Sequence, residues 1–510
     1  MRNKRSATAL AAASFLLAAG AGLTVATPAH AGTPGGTYAH DRNSDFDGDG
    51  HEDTVIAAPE ATVHGARSAG HVTVRYGSER GPAAARSVRI SQAAPGIPGE
   101  PERGDRFGAA LATGDLNGDL HDELVVAAPG EDLNGHRDAG GVTVLWGGPE
   151  GLTGSATWVR ARELRPGARF GTALAAARFS AAHPGDLLVV GSGAGGLERL
   201  TWAPAPPPVD GGPPGGDTPG GIAPMGTAST HAAVRAGAKP IERAPLAGGQ
   251  ALLPRALTTG DYNRDDLADL VVTGVRGDGS PAHPRSAYYT GGARGPVFAR
   301  ELTGGQIAAS GDIDGDGYDD LVSGHPAHTG GPLRHGGGIT VRYGGPDGPS
   351  ARPQWWTQDS PGVAGVDEAG DGFGSDVSVA DADGDGYADV AVGAAGEDVG
   401  ATADAGAVWV LRGSATGLTG RGSSHWTQDS RHLPGRAERG DAWGEQLRFT
   451  GPDRRGQYAL LVAAPGEDRD AGRVWLLPAA LGGVTAEGAT AFGAGRPASD
   501  AGRFGAVIDE

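Results

Sequence analysis

Five stretches of this chain place carboxylates at alternate positions, and the chemistry such spacing serves is the holding of a hard cation. Asp45, Asp47, Asp49 and Asp53 lie in DFDGDGHED, a D-x-D-x-D-G-x-x-D pattern whose alternate side chains point toward one centre when the chain turns tightly. Gly50 permits the reversal, and the carbonyl of His51 adds a further oxygen. The same spacing recurs at Asp312, Asp314, Asp316 and Asp320 with the carbonyl of Tyr318, and at Asp381, Asp383, Asp385 and Asp389 with that of Tyr387. Two variants follow. One uses Asp115, Asn117, Asp119, His121 and Glu123, with Leu120 at the glycine place; the other uses Asp261, Asn263, Asp265, Leu267 and Asp269, with Asp266 there.

Six or more oxygens around one centre suit calcium. Magnesium asks for a stricter octahedron and keeps more of its water, and zinc would draw on histidine or cysteine. A single Asp-Gly is ordinarily a hairpin turn. Five clusters with ligand spacing, each following one strand and preceding another, point instead to Ca2+, with three strong sites and two weaker ones.

Those loops need strands to carry them, and the chain supplies them by repetition. The clearest copies are FGAALATGDLNGDLHDELVVAAPGED from Phe107 and FGSDVSVADADGDGYADVAVGAAGED from Phe373. Weaker copies begin at Asp45, Phe170, Gly260, Gly311 and Trp443, so the total is seven units. The copies at Phe170 and Trp443 have lost the acidic ligands, reading ARFSAAHPGD and FTGPDRRGQY at that place. After each loop comes a Val-rich strand, then an alternating one such as Val72, Val74 and Tyr76, or Val142, Val144 and Trp146. A further strand is marked by Trp356-Thr357-Gln358-Asp359-Ser360 and its copy Trp426-Thr427-Gln428-Asp429-Ser430. Four strands to a unit make the blade of a propeller, so the expected fold is all-β, a seven-bladed β-propeller. The first unit lacks a Phe-Gly strand, and a surplus one stands at Phe504 to Ile508; pairing the two closes the ring on blade one.

Composition agrees. The 92 glycines and 36 prolines recur beside β-rich runs rather than at random, which marks short strands joined by tight turns. A formal net charge of -19 and the lack of a basic stripe exclude nucleic acid as partner. Arg2, Lys4 and Arg5, an apolar stretch from Ala7 to Val25 and Ala29-His30-Ala31 read as a signal peptide over residues 1–31, with the mature chain starting near Gly32. No later segment has the ~20 apolar residues of a membrane span. A secreted, extracellular monomer is expected, and with no cysteine calcium takes the place of disulfides as crosslink. Residues 203–250, containing APAPPPVDGGPPGGDTPGG, read as a flexible Pro/Gly-rich insertion in the propeller domain, which spans 32–510.

The Phe-Gly openings, the acidic loops and the Ala-Ala-Pro strand ends resemble the FG-GAP repeats of the integrin α-subunit N-terminal propeller and of related bacterial exported proteins. The resemblance implies a seven-bladed propeller with calcium in some of its blade loops, on the residues named above. It further implies adhesion or binding of an extracellular protein or carbohydrate. The alternative is an exported enzyme, acting on polysaccharide or ester, with its site on a propeller rim.

Other motifs have simpler readings. Arg-Gly-Asp occurs at 103–105, 276–278 and 439–441, but two copies, ERGDRFG and ERGDAWG, hold the same place in the repeat and read as structural. Gly191 to Gly196 match G-x-G-x-x-G without the helix a dinucleotide site needs. Trp355, Trp356 and Trp426 recur at matching places, as blade packing does. There is no G-x-S-x-G, and no catalytic residue is assigned.

Overall fold

In the computed structural model the described residues are 44–78, 86–152, 154–204, 240–248, 252–276, 284–326, 336–452, 456–494 and 502–509. The signal peptide expected over residues 1–31 and most of the insertion lie outside them.

Strand-forming residues dominate each repeat, and short turns between them leave only antiparallel pairing with the neighbour in sequence. Seven four-stranded sheets result, six of them following chain order from the inside of the ring outward. Blade two shows the unit: Leu111–Gly114, Glu123–Ala128, Gly141–Leu145 and Ala156–Arg160. The second strand is buried along its whole length, because blades stack against both of its faces. The third carries the alternating residues seen in the sequence, and Val142, Val144 and Trp146 fill the space toward blade three.

Blade one takes its innermost strand from the other end of the chain. Val507–Ile508 pairs antiparallel with Thr54–Ala58, Ile508 opposite Ile56 and Val507 opposite Ala57. The Phe-Gly signature explains itself here. Phe107, Phe170, Phe373 and Trp443 are buried between blades, and each donates its peptide N–H to a carbonyl of the preceding blade: Ala69, Ala139, Gly336 and Ala405. Phe504 does the same to Ala471 of blade seven at 3.1 Å. The closing segment thus repeats the contact that joins blades elsewhere in the ring. Gly472 is required beneath it, since a Cβ there would lie 2.2 Å from the Phe504 carbonyl oxygen.

Residues 203–250 need a correction at their C-terminal end. Glu242–Pro245 is a strand, hydrogen-bonded to Leu197–Thr201 as the outer edge of blade three. An exposed edge strand carries no alternation, so ERAP beside Pro/Gly-rich sequence gives no periodic signal. Blade seven adds a small hairpin, Ala479–Ala480 with Gly483–Val484. Among the described residues no helix is long and apolar enough to cross a membrane.

Candidate metal centres on the blade loops

Four of the acidic loops connect the first and second strands of their blades, that of blade one leads into its second strand, Thr54–Ala58, and each of the five closes in the same way. The first Asp accepts peptide N–H groups from the residues that follow: in blade five Asp312 takes those of Gly315, Asp316 and Gly317 at 2.7, 3.1 and 2.8 Å. Asp381 in blade six repeats this with Gly384, Asp385 and Gly386, and Asp115 in blade two with Gly118, Asp119 and Leu120. In blades one and four, Asp45 takes the N–H groups of Asp49 and Gly50, and Asp261 those of Asp265 and Asp266. The fifth residue of each loop, Asp49, Asp119, Asp265, Asp316 or Asp385, accepts the N–H of the seventh: His51, His121, Leu267, Tyr318 or Tyr387. The last acid is anchored from the third strand. Gly77, Gly291, Gly344 and Gly413 donate to Asp53, Asp269, Asp320 and Asp389 at 2.7 to 3.0 Å.

Leu120 and Asp266 do not prevent this geometry. Both hold the left-handed backbone that glycine takes elsewhere, at φ +68° and +63°. That conformation costs a non-glycine residue stability without changing the path of the loop.

Ligand oxygens converge in the three full loops. Asp45, Asp47 and Asp53, then Asp312, Asp314 and Asp316, then Asp381, Asp383 and Asp385 each offer oxygens within 4.8 Å of one another. In the variant loops an asparagine stands at the third position, and its amide nitrogen donates to the last acid, Asn117 to Glu123 at 3.1 Å and Asn263 to Asp269 at 3.4 Å. The Tyr288 hydroxyl also donates to Asp269, at 2.7 Å, and so competes for one of its oxygens.

One feature runs through all five loops. The Oδ1 atoms of Asp47, Asn117, Asn263, Asp314 and Asp383, the third residue in every case, are buried and have no hydrogen-bond partner. A buried acceptor left unpaired costs on the order of 1 to 3 kcal/mol, and its recurrence at one position of five loops asks for a common partner. The candidate ligands of these loops are carboxylate, amide and peptide oxygens, a set that fits a hard cation such as calcium. Burial, reinforced by the neighbouring carboxylates, pushes Asp53 and Asp320 up to about 8 and Asp314 to about 6. A cation at the centre removes that penalty by favouring the charged form.

The loops are also tied around the ring. The peptide N–H of Asp45 donates to Asp122 of blade two at 2.8 Å, that of Asp115 to Asp186 of blade three at 3.1 Å, and that of Asp261 to Asp319 of blade five at 2.7 Å. These three partners were missed by pattern reasoning. Asp186 explains why blade three keeps PGD after losing its ligands: it serves the loop of blade two.

Residues 107–145 and 373–411 match the family model described as FG-GAP repeat. The chain carries FG-GAP repeats in two places and folds as a seven-bladed propeller. Its seven blades are consistent with an integrin α-like propeller. Over 103 residues this FG-GAP propeller is 37% identical to the human phosphatidylinositol-glycan-specific phospholipase D, a match covering 19% of this chain and 12% of that relative's length. Two solved structures share 12% identity with it. BBS1N, crystallised in complex with ARL6DN, has a TM-score of 0.40, covering 77% of this chain and 83% of that one. The BP39L lectin from Burkholderia pseudomallei has a TM-score of 0.41, covering 84% and 96%.

The Arg-Gly-Asp tripeptides are placed as the repeat implied. Asp105 and Asp441 are buried at 1% and 2% exposure, so their carboxylates do not face solvent. The third copy, at 276–278, has its Gly and Asp outside the described residues. Gly191 to Gly196 form the end of a blade-three strand and its turn. Trp356 is buried in the core between blades five and six, and Trp426 packs against that of blades six and seven.

Proposed function

We propose that this protein is a secreted, calcium-stabilised FG-GAP propeller that serves as a binding or adhesion module for an extracellular protein or glycan. The observation that carries the calcium reading is the orphaned Oδ1 at the third position of all five loops. Asp45, Asp47, Asp49 and Asp53 would hold one ion, with equivalent sets in blades five and six and the asparagine-containing sets of blades two and four as weaker holders. Bound calcium supplies a crosslink between strands in a chain that has no cysteine.

The centre of the ring favours binding over catalysis. The inner strands enclose a cavity of about 530 Å³, lined largely by small side chains such as Ala112, Ala175 and Thr258. Three of its charged groups have structural partners: Asp376 accepts the Leu447 N–H at 2.6 Å, Asp319 that of Asp261, and Arg448 pairs with Asp509. The exported-enzyme reading draws on the match to the phospholipase D, which spans only 19% of this chain. The deciding experiment is a screen of the purified protein against glycan arrays and cell-envelope preparations, with calcium and with chelator. Saturable, calcium-dependent binding without turnover supports the module; release of product from a polysaccharide or ester substrate overturns it.

A further inference from the structure

The three full loops differ in a way their sequences hide. In blade six the guanidinium of Arg412 donates to two of the candidate ligands, Asp389 Oδ2 at 2.7 Å and Asp383 Oδ2 at 3.0 Å. The side chain is only 15% exposed, and a second nitrogen is held by the carbonyl of Gly482, in the turn of the blade-seven hairpin. In blade one Arg86 reaches Asp47 Oδ2 at 2.7 Å, but that arginine is 47% exposed and touches a single ligand. Among the described residues no lysine or arginine side chain pairs with the carboxylates of Asp312, Asp314, Asp316 or Asp320. Arg264, the nearby cation, donates instead to the Asp316 carbonyl oxygen.

The position of Arg412 is informative. In each of these blades the residue in question precedes the glycine whose N–H anchors the last acid: Gly77 in blade one, Gly344 in blade five and Gly413 in blade six. Blades one and five have a tyrosine there, Tyr76 and Tyr343, whose hydroxyls accept the N–H of Leu152 and Leu418 from the next blade. Blade six replaces that neutral bridge with a cation aimed at the ion site.

We propose that Arg412 is a tethered counter-cation of the blade-six loop, which a calcium ion must displace, so that blade five fills first, blade one next and blade six last. Two ligand oxygens are occupied, and a positive charge stands where a second would arrive, so both contact and Coulomb terms lower affinity at this loop. Filling blade six also releases Arg412 from Asp383 and Asp389, which loosens its hold on the turn at Gly482 and ties the hairpin of blade seven to ion occupancy. This ordering rests on the calcium reading of the loops.

The test is hydrogen–deuterium exchange read by mass spectrometry on the purified full chain across a calcium titration, because peptides over 312–320 and 381–389 report each loop separately. The wild-type protein is expected to gain protection at 312–320 at lower calcium than at 381–389. Arg412→Gln lowers the midpoint at 381–389 by about tenfold, the scale of one partly buried ion pair, and leaves that at 312–320 unchanged. Arg412→Tyr, which installs the residue of blades one and five, behaves in the same way and guards against a folding defect in the first variant. Equal midpoints in the wild type, or an unshifted midpoint at 381–389 in a folded variant, overturn the ordering while leaving the calcium reading intact. Absence of calcium-dependent protection at every loop overturns both.

Discussion

Arg448 on the inner strand of blade seven forms a fully buried ion pair with Asp509, in the segment that completes blade one, and a second with Glu52 of blade one. Asp509 in turn accepts the N–H of Val55 at 2.8 Å, and Glu52 that of Gly451 at 2.7 Å. The point where the ring closes is therefore fastened by charge as well as by the two-residue strand Val507–Ile508. A buried pair broken on one side leaves the other charge uncompensated, which costs about 3 to 5 kcal/mol. Asp509→Ala should lose stability on that scale in urea unfolding, and removal of residues 504–510 should lose more, because the Phe504 contact goes with it. A truncated chain with an unchanged unfolding midpoint would refute the closure argument.

Chelation should destabilise the whole ring rather than one blade. Each filled site adds about 2.7 kcal/mol at a hundredfold excess of calcium over its dissociation constant. The expected result in a thermal melt is a large fall in Tm with chelator, reversed by calcium and not by equal magnesium. Asp314→Ala removes the orphaned oxygen of the full loop whose carboxylates, among the described residues, pair with no arginine, and should shrink the calcium-induced rise more than Asp383→Ala does. Equal effects would place the ion elsewhere.

How much of this was legible in the sequence depends on whether a residue's role is local. Ligand spacing, the alternation of Val142 and Val144 and the surplus Phe504 are carried by neighbours a few positions apart, and all could be read directly. The Asp122, Asp186 and Asp319 bonds to a loop in the preceding blade could not, because no short pattern links residues 58 to 77 positions apart. Arg412 was invisible for a related reason. Its effect comes from facing Asp383 and Asp389 across the blade, which becomes evident only once Tyr76 and Tyr343 are superposed on it. Glu242–Pro245 was lost for the opposite reason, since an edge strand need not bury either face.

The WTQDS repeat, and Ile90-Ser91-Gln92-Ala93-Ala94 at the same place in blade one, held a role beyond strand closure. Gln92, Gln358 and Gln428 each reach into the next blade and donate to Glu131, Glu397 and Glu467 at 2.6, 2.7 and 2.7 Å. Asp105, Asp371 and Asp441 stand beside these acids as further negative charges, joined by Glu102 and Asp132, by Glu368 and Asp398, and by Asp468; only Glu467 faces a cation, Arg473. Burial foremost, with those neighbours, pushes Glu131, Glu397 and Glu467 up to about 7. An acid raised in the folded state binds protons there that the unfolded chain has released, so its stabilisation is full below about pH 4.5 and is lost as pH rises through 7. In chelator Tm should therefore fall between pH 5 and 7.5, with Asp53 and Asp320 of the ion-free loops adding to the fall. Replacing all three glutamates by glutamine should flatten that slope, and a slope unaltered by the triple change would assign it to other groups.

The Arg-Gly-Asp copies make the final prediction, because the same clusters decide it. A receptor that reads this tripeptide must reach the aspartate, yet Asp441 accepts the N–H of Glu438 at 2.7 Å and, like Asp105, is withdrawn from solvent. Arg439→Ala alters a side chain that is free to change, so cell attachment to the immobilised protein should be the same with and without it. Asp441→Ala, by contrast, removes a carboxylate from the junction of blades six and seven and should lower Tm by an amount typical of a lost buried hydrogen bond, about 1 to 3 kcal/mol in stability. Attachment lost in Arg439→Ala at unchanged Tm would show that the tripeptide is read after all, and that the junction opens to present it.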